Sequence, residues 1–128
     1  MEKSWGYELV INCGGCNDNI MSKEAVEKFS RDLVELIDMK AYGEPQVVYF
    51  AGHDPTKAGF TLVQLIETSS ITAHFVDEYR QVYINIFSCK PFDPVIASDF
   101  VKDYFGAKDL KSVFMTRDVE KGITIKEV

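Results

Sequence analysis

Between residues 60 and 88 the chain holds three runs dense in β-branched and aromatic residues, 60–68, 71–76 and 81–88, with breaks of two and four residues between them. Breaks that short predict antiparallel hairpins. The rest of the chain is read around that block. Residues 7–12 predict a strand, and 46–50 a short one after the break at Gly43-Glu44-Pro45. Residues 53–56, His-Asp-Pro-Thr, form a loop. Ser22 is placed to cap a helix over 23–39, where Val26, Phe29, Leu33, Leu36 and Ile37 recur at helical spacing. Asp93-Pro94 opens a second helix with Ile96, Phe100 and Tyr104 on one face, and Gly106 stops it. A last strand is predicted over 111–116. The order β-α-β-β-β-β-α-β predicts the α+β class: one domain over 1–128, a two-layer α/β sandwich whose antiparallel sheet carries two helices on one face. The other face must be polar or find cover, from a second copy or as a ligand cleft.

Charge and composition exclude several functions. The formal net charge of -6 argues against a nucleic-acid partner, which favours a basic face. No stretch approaches the ~20 apolar residues of a membrane helix. The first residues lack the basic start and apolar run of a signal peptide, so the expected location is cytoplasmic. Three cysteines, an odd number, do not suggest a disulfide framework. Cys13-Gly14-Gly15-Cys16 is a CxxC pair, but no second pair completes a zinc site and no further thioredoxin-like feature accompanies it. No metal is expected, and the pair reads as small thiols flanking turn glycines. Glu24, Glu27 and Asp32 read as a solvated helix face.

The densest set of reactive side chains lies between Thr61 and Cys89. Ser69 follows the strand ending at Thr68, in a tight break. If 71–78 is one strand, Thr72, His74, Val76 and Glu78 share a face, because side chains alternate. Cys89 lies fifteen residues after His74. Taken singly, these are ordinary residues: a turn serine, a structural histidine, a surface glutamate at a hairpin, a small buried thiol.

Their joint spacing resembles the bacterial-type S-adenosylmethionine decarboxylase proenzymes. In that family the self-processing serine is followed by a histidine after five residues and a cysteine after twenty, and Ser69, His74 and Cys89 reproduce both intervals. Glu78, four after His74, also matches, and the likeness runs over about residues 5–118. The chain departs from the family at Thr68 and Ser70, where Glu and His are usual, and at Asn12 and Gly15, where acids are frequent.

The resemblance implies a precursor that cuts itself at Thr68–Ser69. The Ser69 hydroxyl attacks the Thr68 carbonyl, the peptide becomes an ester, and His74 assists the proton transfer that lets it eliminate, with Thr61 in support. The fragments are 1–68 and 69–128, the second starting with a covalent pyruvoyl cofactor made from Ser69. That group forms a Schiff base with the substrate amine and takes up the electrons left when carbon dioxide departs. Cys89 returns the proton, Glu78 binds the ribose hydroxyls, and Tyr49 and Phe50 are the stacking candidates. The implied substrate is S-adenosylmethionine, feeding polyamine (spermidine) synthesis, and the implied assembly is a homodimer with sites at subunit contacts. Two alternatives stay open at this point: the same chemistry on ornithine or arginine, and a homologue that never cleaves and serves as a binding or regulatory partner.

Overall fold

The computed structural model describes residues 3–128. Among them the elements are β1 (Gly6–Gly14), α1 (Lys23–Leu36), β2 (Gln46–Phe50), β3 (Gly59–Ile66), β4 (Ser69–Val76), β5 (Gln81–Ser88), α2 (Pro94–Phe105), β6 (Asp109–Asp118) and β7 (Gly122–Glu127). A single 3₁₀ turn, Asp18–Met21, precedes α1. The strands form one antiparallel sheet in the order β2-β3-β4-β5-β1-β6-β7.

The helix ends follow from local chemistry. The Ser22 hydroxyl accepts the Ala25 amide hydrogen, and the Asp93 carboxylate accepts from the Val95 and Ile96 amides ahead of Pro94. Such caps satisfy amides that have no partner inside the helix. Gly106, at φ 57°, ends α2 in the left-handed conformation. Both helices lie on one sheet face, as the sequence predicts. Phe29 of α1 and Phe105 of α2 meet at a ring-centroid distance of 4.6 Å over Phe75 of β4, and all three are buried. Leu9 and Ile11, Leu62, Ile71 and Ala73, and Ile84 and Ile86 supply the sheet side of this core.

Gly59 opens β3 where a Cβ would stand 1.8 Å from the Phe75 carbonyl oxygen, so a side chain cannot be accommodated there. Two findings differ from the sequence reading. α1 stops at Leu36, with Ile37 as its C-cap and Asp38 at φ 57°. A seventh strand, β7, pairs with β6 after a turn at Gly122, φ 91°. Its signal was legible, since Ile123 and Ile125 alternate with polar residues after a glycine turn. No helix among the described residues is long and apolar enough to cross a membrane.

The face away from the helices is uncovered. It carries Val48, Val63, Leu65, Thr72, His74 and Tyr83 on one half. On the other it carries Phe87, Glu8, Val10, Met115, Ile123 and Ile125.

Candidate active site

The β3–β4 hairpin turns on two residues, Glu67 and Thr68, between paired Ile66 and Ser69. Thr68 is held at φ 57°. A β-branched residue in the left-handed region is strained, by roughly 1–3 kcal/mol. The bond that follows is Thr68–Ser69. The loop after α1 braces the turn: the Glu67 amide donates to the Lys40 carbonyl, and the Tyr42 amide to the Leu65 carbonyl. Buried Gln64 donates to the Gly43 and Leu65 carbonyls, and Ser30 of α1 donates to Gln64. Lys90 donates to the carbonyl and carboxylate of Asp38 at 2.6 and 3.0 Å.

Register brings the thiol to this turn. Ser69 pairs with Ser88 across β4 and β5. The residues one step beyond that pair, Thr68 and Cys89, therefore face each other, with Thr68 Oγ1 2.7 Å from Cys89 Sγ. The Thr68 hydroxyl donates to the Glu67 carbonyl at 2.6 Å. A hydroxyl has one hydrogen, so toward the thiol Thr68 is the acceptor and Cys89 the donor. Ser69 points toward the helix side and its hydroxyl donates to Ser88 Oγ at 2.9 Å. A cleft of about 360 Å³ opens beside it, lined by Asp38, Met39, Lys40, Glu67, Ser69 and Lys90.

His74 is elsewhere. It lies five residues further along β4, so side-chain alternation puts it on the uncovered face. At ~3.3 Å per residue the separation from Ser69 is about 16 Å. His74 Nδ1 is 3.2 Å from Thr61 Oγ1, its cross-strand partner on β3. The two share a cleft of about 320 Å³ with Phe50, Lys57, Tyr79 and Tyr83. Thus the structure joins Thr68, Ser69 and Cys89 in one place, and Thr61, His74 and Phe50 in another.

Two sequence expectations change here. β4 ends at Val76, and Glu78 sits exposed in the turn that follows, so strand alternation does not align it with His74. Tyr49 lies on the opposite face from Phe50. Its ring meets Phe60 edge-on and its hydroxyl donates to Asp77 at 2.9 Å, a bond that raises the Tyr49 pKa above its usual value. The sequence reading also passed over a third group, on the uncovered face beside Ser70. Trp5 stacks on Phe87, the Arg117 guanidinium lies 4.9 Å from the Phe87 ring centre, and Glu8 accepts from Arg117 and Asn85. Alternation along β1 was the available signal, since it sets Glu8 on the same face as Val10 and Asn12.

Cys13 and Cys16 are both buried. Burial, reinforced by neighbouring Cys16, pushes the Cys13 thiol up to about 12. Burial pushes Cys16 up to about 11 against the opposing pull of Arg80. Both are inert thiols at neutral pH. No cluster of three or more metal-ligating side chains occurs among the described residues.

Residues 7–118 match the family described as S-adenosylmethionine decarboxylase. The chain belongs to the S-adenosylmethionine decarboxylase family. Curated members agree. It is 27% identical over 113 residues to the S-adenosylmethionine decarboxylase proenzyme of Geobacillus sp. strain WCH70, covering 88% of this chain and 86% of that one. It is 35% identical over 91 residues to the proenzyme of Clostridium botulinum strain Hall, covering 70% and 73%. Among solved structures, the adenosylmethionine decarboxylase of Aquifex aeolicus shares the fold, with a TM-score of 0.77 at 18% identity over 92% of this chain and 94% of that one.

Proposed function

We propose that this member of the S-adenosylmethionine decarboxylase family is a precursor that cuts its own Thr68–Ser69 bond and then decarboxylates S-adenosylmethionine, in the cytoplasm, for polyamine synthesis. The observation that carries the reading is the turn itself. A strained Thr68, the hydroxyl of Ser69 and the thiol of Cys89 converge on one peptide bond.

The chemistry balances within the chain and one water. Ser69 Oγ adds to the Thr68 carbonyl carbon, the C–N bond breaks, and the proton from oxygen passes to nitrogen. The resulting ester loses the Ser69 α-hydrogen and its Cβ–O bond, leaving Thr68 as a carboxylate and residue 69 as dehydroalanine. Water replaces the nitrogen, ammonia leaves, and residue 69 becomes a pyruvoyl group. Such a group fits this position, because Ser69 borders an open cleft and adjoins a thiol. In place it would supply the electron sink for loss of carbon dioxide from a bound amine. Cys89 holds the proton to be returned to the substrate carbon. Exposed Trp5 offers an aromatic face to a sulfonium cation, while Phe87 and Glu8 beside it are already engaged by Arg117.

His74 cannot serve Ser69 of its own chain across about 16 Å. We therefore assign His74, Thr61, Phe50 and Glu78 to the site of a second copy, in a homodimer formed through the uncovered sheet face. His74 there assists the elimination, Glu78 meets the ribose, and Phe50 stacks. The apolar side chains left on that face support the pairing.

Intact-mass spectrometry tests the cleavage. Fragments 1–68 and 69–128 should sum to about 1 Da above the uncut chain, whereas proteolysis adds a water, about 18 Da. Carbon dioxide release from S-adenosylmethionine, compared with ornithine and arginine, tests the substrate. A chain that stays whole, or releases carbon dioxide only from ornithine or arginine, overturns the corresponding half of the reading.

A further inference from the structure

The helix-facing row of β5 reads Val82, Ile84, Ile86, Ser88, and every member is buried. The last is the row's one polar member. A fully buried hydroxyl on an apolar row needs hydrogen-bond partners to be tolerated there. Ser88 Oγ accepts two hydrogens, one from the Lys90 amide at 2.8 Å and one from the Ser69 hydroxyl at 2.9 Å. The first is a local turn contact that any serine can make two residues ahead. The second crosses the sheet to the nucleophile, and turn formation does not require it.

The contact also separates two adjacent serines. Ser69 and Ser70 point to opposite faces. Ser70 sits on the uncovered face between Leu65 and Phe87, its cross-strand partners on β3 and β5. Ser69 alone faces a hydroxyl acceptor. At the first residue of β4 its side-chain rotamer is thereby fixed.

We propose that Ser88 is a catalytic residue of self-processing: its hydroxyl holds Ser69 Oγ for attack on Thr68, and so selects Thr68–Ser69 as the bond that breaks. This rests on the self-cleavage reading above. Ser88 takes no proton in the step; it accepts a hydrogen bond and orients the oxygen.

The test follows the first-order cleavage of the full chain by denaturing gel and intact mass in the unmodified protein, Ser88→Ala, Ser88→Thr and Ser69→Ala. Thermal unfolding of the uncut forms is recorded in parallel. Ser88→Ala is expected to cleave roughly tenfold or more slowly, with unfolding little changed, because a displaced nucleophile loses effective concentration. Ser88→Thr keeps the hydroxyl and is expected to cleave within about threefold of the unmodified rate. Cleavage of Ser88→Ala at the unmodified rate overturns the assignment. So does equal slowing in Ala and Thr variants with matching loss of thermal stability, which marks a packing role. If the unmodified chain never cleaves, the processing reading falls and this one with it. If only the Ser88 variants behave unexpectedly, the processing reading stands.

Discussion

Mixing two inactive variants tests where His74 acts. Ser69→Ala keeps His74 but has no nucleophile, and His74→Ala keeps the nucleophile but has no helper. Ser69 and His74 are five residues apart on one strand and face opposite sides, about 16 Å from each other, so the proposed site takes its histidine from the second copy. Alone, Ser69→Ala stays whole, and His74→Ala cleaves about 10²–10⁴-fold slower, the usual loss on removing a general acid or base. In a symmetric dimer a mixed pair holds one site with both groups intact and one with neither. Random pairing at equal amounts makes roughly half of the pairs mixed, so about half of the His74→Ala chains, a quarter of all chains, should cleave at near-normal rate. The two chains are co-expressed with different tags, the mixed pair is isolated through both tags, and fragments are counted by intact mass. Mixed pairs that stay whole would refute the shared-site reasoning. Normal cleavage of His74→Ala by itself would remove the histidine from the step altogether.

Other outcomes follow from the same geometry. Cys89→Ala is expected to cleave and to give a hydrazine-reactive keto group, yet turn over about 10²-fold or more slowly; an undiminished kcat removes its proton-returning role. In native protein at pH 8 an alkylating reagent should label Cys89 alone, with Cys13 and Cys16 reacting only in denaturant, as counted by mass. The same two thiols are raised in the folded state from 9.0 to about 12 and about 11. Above pH 9 the unfolded chain therefore releases protons that the folded chain retains, and urea midpoints should fall as pH rises from 9 toward 11, with no contribution from these groups below 8. Phe29→Ala, which removes a buried ring shared by both helices, should lose about 3–5 kcal/mol in urea unfolding; a loss under 1 kcal/mol contradicts the packing described.

Which parts of the protein were legible beforehand depends on the range of the interaction involved. Hydrophobic alternation, Ser22 and Asp93 as caps, and Gly106 as a stop are local signals, and they placed both helices and all strands but one within a few residues. That one, β7, carried its own pattern in Ile123 and Ile125. The hairpin was legible, as was the interval to Cys89, but its turn was placed two residues late: β3 ends at Ile66, the turn is Glu67–Thr68 and Ser69 opens β4, because β-branched Thr68 reads as a strand residue yet sits at φ 57°. Strand alternation was extended too far at Glu78: the β-rich run already ends at Val76, and Glu78 falls in the four-residue turn before β5, where side chains no longer alternate.

The sequence by itself determined the class of fold, the reactive residue types and their spacing, because side-chain period and capping are properties of neighbouring residues. Only the tertiary structure decided who meets whom. Register across β4 and β5 set Cys89 against Thr68 and Ser88 against Ser69, and alternation along β4 sent His74 to the other side. Cross-strand partners depend on how each turn closes and how the sheet packs on its helices, and a linear spacing does not contain that distance.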